Sequence, residues 1–174
     1  MESKRARDLM IPLSEYPHMP YWFTLRQAMA TLRSSRIEVD GRVSLPRAFL
    51  VFNEAYELLG VVRRRDILRG LEPLFLEQKR KSRLRTLFDV KADPDLLEWG
   101  EEGLVSRIRE RAERPVGDVM QPIKVTLQHD DHLMKIIYEM VENNLSMIPV
   151  LEKGSVVGVV RSVDVLDEVS KLVL

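Results

Sequence analysis

The chain carries one short segment twice, GVVRRRDIL at residues 60–68 and GVVRSVDVL at residues 158–166, with glycine, two valines, arginine, aspartate and leucine in the same places. This constrains the fold more than composition does, because a duplicated sequence is expected to build a duplicated supersecondary unit. The match extends outward. Asp8, Met10 and Pro12 answer Asp118, Met120 and Pro122 at an offset of 110; helix-like stretches from Leu25 and Leu133 correspond at 108; Gly60 and Asp66 answer Gly158 and Asp164 at 98. The falling offset gives copy one about twelve extra residues, most of them at 36–47 around Asp40 and Gly41.

Each copy reads as strand, helix, strand, strand, helix. In copy two, Val125, Thr126 and Leu127 suggest a short strand, and Leu133, Ile136, Ile137, Met140 and Val141 recur at the spacing of an amphipathic helix, with Asp130 or Asp131 at its start. The runs 147–151 and 156–160 flank Gly154 as a predicted hairpin. A second helix follows, with Val163, Leu166 and Val169 expected to face inward. In copy one, Thr24 and Gln27 form a candidate capping box ahead of Leu25, Ala28, Met29 and Leu32, and 49–52 and 58–62 supply the strands. The predicted organisation is a first unit at 1–70, a connector at 71–114 and a second unit at 115–174. The connector holds a basic run (Lys79, Arg80, Lys81, Arg83, Arg85), an acidic stretch with Phe88, Leu96, Leu97 and Trp99, and a helix from about Gly103 to Arg114. Those apolar residues predict a small satellite core or a partner patch.

With 174 residues, 45% of them hydrophobic, the chain can bury a core and is expected to fold as a soluble globular protein. Lysine plus arginine balance aspartate plus glutamate at 27 each, so no net charge advertises nucleic acid. The basic run lacks interleaved aromatics, which argues against that partner further. There is no cysteine, which removes disulfides, thiolate metal sites and thiol nucleophiles. The charged start and the absence of a long apolar run predict a cytoplasmic protein without a membrane span. His129, Asp130, Asp131 and His132 could suggest a metal, but four consecutive residues at a helix entry cannot all converge on one ion, and no metal is predicted. No phosphate-loop, zincin or nucleophile-elbow motif is present, so no enzyme activity is expected.

Asp-x-Met-x-Pro at the head of each copy, Ile148-Pro149-Val150, and a closing Gly-hydrophobic-x-x-x-x-Asp pattern resemble the cystathionine-beta-synthase (CBS) domains, which occur as tandem pairs called Bateman modules. The resemblance covers roughly residues 5–70 and 115–173. It implies an α+β fold of two CBS-type units packed with pseudo-twofold symmetry, with a partly helical connector, and a homodimer of such modules. It also implies a non-catalytic regulatory role, with AMP, ADP, ATP or S-adenosylmethionine bound in a cleft between the units, no required cofactor, and a regulated protein on another chain. Asp66 and Asp164 become the ribose candidates, and Val125, Thr126, Ile148 and Pro149 the adenine and sugar neighbours.

The pattern departs from the family where a threonine or serine is usual, since Arg63 and Arg161 stand there. A guanidinium fork suits phosphate, and the helix start at Ser162 offers backbone N–H groups to an anion. Equally, each arginine could fill its pocket or neutralise its aspartate. Without the resemblance, both aspartates read as first-turn acids complementing a helix dipole. The rival expectation is a structural or interaction module with degenerate pockets.

Overall fold

A computed structural model of the chain describes residues 4–72 and 100–174. The basic run at 79–85 and the apolar residues Phe88, Leu96, Leu97 and Trp99 lie outside the described residues. The helices are α1 (Ala6–Leu9), α2 (Leu25–Ser34), α3 (Arg64–Leu71), α4 (Gly100–Arg111), α5 (Leu133–Glu142) and α6 (Ser162–Val173). The strands are β1 (Ile11–Pro12), β2 (His18–Pro20), β3 (Ile37–Val39), β4 (Arg42–Ser44), β5 (Ala48–Phe52), β6 (Leu58–Arg63), β7 (Gln121–Pro122), β8 (Leu127–Gln128), β9 (Met147–Glu152) and β10 (Ser155–Arg161).

Two mixed sheets of the same design result, β2-β5-β6-β7 and β1-β10-β9-β8. In each, a parallel pair (β2 with β5, β8 with β9) continues into an antiparallel hairpin. The edge strand comes from the other half of the chain. Ile11 pairs with Val159 and Pro12 with Gly158, while Gln121 pairs with Val61 and Pro122 with Gly60. The repeated Asp-x-Met-x-Pro segments are therefore exchanged, each completing the sheet of the opposite copy.

The repeated glycine is where the exchanged strand comes closest. A Cβ on Gly158 would sit 2.5 Å from the Ile11 carbonyl oxygen and 2.9 Å from the Met10 sulfur; one on Gly60 would sit 2.5 Å from the Gln121 carbonyl oxygen. A side chain at either position would push the edge strand away, which accounts for glycine at the head of both nine-residue segments.

The central strands are apolar on both faces. In β5, Phe49 and Val51 join one core with Met19, Leu25, Val62 and Ile67, whereas Leu50 and Phe52 join Ile11, Tyr16, Ile37 and Val159 in a seam between the two sheets. In β9, Ile148 and Val150 pack with Leu127, Leu133, Ile136 and Val160 in the second core. Burial on both faces explains why these strands read as continuous apolar runs rather than alternating ones.

The predicted caps are partly as observed. Thr24 Oγ1 accepts from Gln27 N at 3.2 Å and Gln27 Oε1 accepts from Thr24 N at 2.9 Å. At α5, however, the N-cap is His132. Asp131 instead accepts from Gln128 N and pairs with Lys135, so it closes the preceding turn. The inward stripe expected on α6 also needs correction. Val165 is the buried valine, while Val163 and Leu166 are exposed, as is Val141 of α5. The helix begins directly on β10, and that junction sets which side meets the sheet.

The extra residues of copy one form the hairpin β3–β4. Asp40 (φ 51°) and Gly41 (φ 76°) both adopt positive φ at its turn, as a two-residue hairpin of this twist demands.

Replacing Gly158 by alanine should lower stability by about 2 kcal/mol and show as an earlier urea midpoint, since the added methyl must displace β1 from β10. Gly154→Ala, in a turn with nothing within 4 Å of the added Cβ, meets no such backbone. Its cost should come only from its positive φ.

Candidate ligand cleft

Each repeat places its aspartate at the third position of a helix that follows a strand without a linker, and its arginine at the residue before the helix. Arg161 and Asp164 face each other across one turn. Arg161 Nε donates to Asp164 Oδ2 at 2.7 Å and Nη2 to Oδ1 at 2.8 Å, a bidentate fork in which both side chains are 13% exposed. The remaining Arg161 nitrogen, Nη1, donates to Ser44 Oγ at 2.8 Å. The backbone N–H of Ser162 is engaged by the carbonyl of Ser146 at 2.9 Å, so the first amide of α6 is already satisfied. The side chain of Ser162 is exposed.

Copy one repeats the pair in a more enclosed form. Asp66 has 0% exposure. Its Oδ2 accepts from Arg63 Nε at 2.8 Å and from Arg63 N at 3.0 Å, and its Oδ1 accepts from Arg63 Nη2 at 3.1 Å and Gln121 Nε2 at 3.3 Å. Burial alone would raise this carboxyl, but the Arg63 hydrogen bonds, with the charges of Arg63 and Arg69, hold it below the usual carboxylate range. The carboxylate is thereby saturated with donors.

Two cavities flank the Arg161–Asp164 pair. One, of about 630 Å³, is largely apolar and runs between α5, α6, Tyr16 and the end of β4; Ser44, Arg161 and Ser162 are among its polar lining residues. The other, of about 390 Å³, is polar and contains Asp164, Asp8, Glu38, Asp167 and Glu168 with Lys4 and Lys171. Between them runs the inserted hairpin. Alternate residues from its turn onward reach the end of β10 and α6: Ser44 at Arg161, Arg42 Nη1 at Asp167 (2.5 Å) and Asp40 at Lys171 (3.9 Å). Hydrogen bonds from Lys171 and Arg42 hold the Asp167 carboxyl low. Tyr16 donates its hydroxyl to the Ala48 carbonyl at 2.9 Å, and burial pushes that phenol well above its ordinary range.

The structure brings Arg161, Ser162 and Asp164 together at one helix start and Arg63 with Asp66 at the other. Val125 and Thr126 are half-buried, and Ile148 and Pro149 are buried in β9; none of the four lines either cavity. Tyr16, Ser44 and Gln121 were not singled out from the sequence. Gln121 had a signal, as an interior position of the repeated Asp-x-Met-x-Pro segment. Ser44 had none, because nothing local says where an inserted hairpin will lie. Among the described residues no three histidine, aspartate or glutamate side chains converge as a metal site would need, and no helix is long and apolar enough to cross a membrane.

The CBS domain family model matches residues 116–171. No curated protein matches in sequence. Among solved structures, the chain is similar to the CBS-pair protein CBSX2 of Arabidopsis thaliana, with a TM-score of 0.65 and 16% identity over 98% of this chain and 97% of that one. It is similar to CBSX2 in complex with AMP, at 0.62 and 15% identity over 98% of each chain. The cytosolic domain of the Mg²⁺ channel MgtE in complex with ATP gives 0.59 and 21% identity, over 96% of this chain and 49% of that one. The family match is to the second unit, about a third of the chain. The two interlocked sheets of the chain and their helices have the α+β fold of a tandem CBS pair.

Because the folded-state pKa of Asp66 is depressed, its contribution is complete above the ordinary carboxylate range near pH 4 and is lost as pH falls through the lower folded value. Asp66→Asn should therefore lower stability by about 2 kcal/mol at neutral pH. Its unfolding midpoint should also fall less steeply than the wild type's below about pH 4. Denaturant melts at stepped pH read both effects.

Proposed function

We propose that the chain is a non-catalytic regulatory module that binds an adenine nucleotide at the Asp164 helix start and signals by a shift in the placement of its two units. The observation that carries this reading is the Arg161–Asp164 pair, held at the junction of two cavities and partly open to them. In a bound state, phosphate oxygens would draw the Arg161 fork away, and the released carboxylate would accept both ribose hydroxyls. That exchange favours AMP, ADP or ATP, whose phosphates offer the fork more anionic charge than the single carboxylate of S-adenosylmethionine, which also carries two positive charges. Two structures of similar fold, CBSX2 with AMP and MgtE with ATP, support an adenine nucleotide. Ser162, Val125, Thr126, Ile148 and Pro149 are its remaining proposed neighbours, reached only if β9 and the loop before β8 yield. Asp66 and Arg63 form the weaker second site, since that carboxylate is wholly covered.

The unit boundaries at 70 and 115, a cytoplasmic location and a regulated protein on another chain belong to the same proposal, as does assembly into a homodimer. One observation favours a second reading, a structural module with closed pockets. Both aspartates are already neutralised by arginine, and Ser44 occupies the last nitrogen of Arg161.

Calorimetric titration of nucleotide-free protein with AMP, ADP, ATP and S-adenosylmethionine separates the two. The regulatory reading expects saturable binding of a phosphate-bearing ligand, abolished in Asp164→Ala and weakened about tenfold or more in Arg161→Ala. Absence of heat from every ligand, with an unchanged melting temperature, would leave the structural module.

A further inference from the structure

The inserted hairpin β3–β4 touches the second unit through Ser44, Arg42 and Asp40, and the three contacts differ in kind. Its strands pair only with each other, Ile37 with Ser44, Glu38 with Val43 and Val39 with Arg42, so it stands as a separate two-stranded piece. Its roots are held by unit one. Ile37 is 2% exposed in the seam, and beyond Ser44 the Pro46 carbonyl accepts from Arg64 Nη2 at 3.0 Å.

Toward the tip the contacts to α6 lie in solvent. Arg42 pairs with Asp167 at side-chain exposures of 76% and 27%, and Asp40 with Lys171 at 78% and 53%. Lys171 already has Asp167 at 2.9 Å and Glu168 at 3.6 Å on its own helix. Surface ion pairs of this kind hold weakly and are screened by salt. The contact at the root is different: Ser44 Oγ accepts from Arg161 Nη1 at 2.8 Å and donates to the Ile37 carbonyl at 3.4 Å, and the arginine side chain is 13% exposed. A sheltered, charge-assisted hydrogen bond is the strongest of the three.

Arg161 is therefore shared between the hairpin and the candidate ligand. A guanidinium is planar and turns as a unit, so a phosphate that draws the fork from Asp164 also takes Nη1 from Ser44. We propose that the hairpin is the element that carries the signal: a nucleotide phosphate and the seated hairpin compete for Arg161, and occupation of the Asp164 cleft releases β3–β4 from α6. This rests on the nucleotide reading and names the part that moves. Residues of the hairpin line both cavities, Ser44 the apolar one and Glu38, Val39 and Asp40 the polar one, so its release opens both. The other site has no such element, because the extra partner of Asp66 is Gln121, whose strand is paired into the sheet. Linkage makes the competition reciprocal: the factor by which ligand loosens the hairpin is the factor by which a fixed hairpin weakens the ligand.

The chain has no cysteine, so Arg42→Cys with Asp167→Cys supplies the only two thiols, placed at one of the exposed pairs. The rate of intramolecular cross-linking by a short bis-maleimide reads the seating of the hairpin, and calorimetry with AMP and ATP reads the cleft, with melting temperatures as folding controls. Cross-linking is expected to slow about fivefold or more when nucleotide saturates the protein, and also when Ser44→Ala is added without nucleotide, and the linked protein should bind nucleotide about fivefold or more weakly than the unlinked one. Equal affinity in the two forms, or a rate that either nucleotide or Ser44→Ala leaves unchanged, would overturn the release while nucleotide binding stands. Absence of binding in the unlinked, linked and Ser44→Ala forms alike would overturn the nucleotide reading and the release with it.

Discussion

The seam between the two sheets is the contact on which the rest of the structure depends. Ile11, Tyr16, Ile37, Leu50, Phe52 and Val159 meet there from both halves of the chain. Each hairpin of the repeat has a helix-covered face and a second apolar face that must also leave water. Two such sheets placed back to back satisfy each other. That packing fixes where the helix starts bearing Asp66 and Asp164 stand. It also gives the inserted hairpin an anchor in Ile37, from which β4 can reach α6.

The pairing of each aspartate with the arginine three residues before it is the chemical signature of this chain. A buried carboxylate is tolerable only when its lone pairs are taken up, and Arg63 with Gln121 does this for Asp66. Arg161 does the same for Asp164 in a less enclosed setting, with Ser44 from the opposite unit as a third member. The insertion therefore breaks the pseudo-symmetry at the helix start that is otherwise the more accessible. One repeat uses an exchanged strand to complete its polar cluster, the other an inserted hairpin.

Much of the architecture was legible in the sequence because it is local or repeated. The order of elements, the Thr24–Gln27 box and the turn at Lys153 and Gly154, both with positive φ, follow from spacing and turn chemistry. The facing of α6 was not legible. The helix carries one apolar stripe through Val165 and Val169 and another through Val163 and Leu166, and periodicity alone does not say which meets the sheet. Nor could the sequence show that the two Asp-x-Met-x-Pro segments trade places, since a strand of two residues carries no partner preference of its own. The pairing of the arginines with the aspartates was readable as one of two outcomes. Geometry was needed to choose it, and also to show that Val125, Thr126, Ile148 and Pro149 stand apart from both cavities.

The exchange of edge strands bears on how the chain acquires its structure during synthesis. Ile11 is made well before its partner Val159, and at roughly 5–20 residues per second the wait is on the order of ten seconds. Through that interval the first Asp-x-Met-x-Pro segment has no edge to join. The β5–β6 hairpin can close, yet its own outer edge stays unpaired until Gln121 and Pro122 appear. Neither repeat can finish alone, so the two sheets must be completed together and late, a topology in which contacts distant in sequence govern the rate. A nascent chain of this kind has long-lived open strand edges, and its first half depends on the second to cover them.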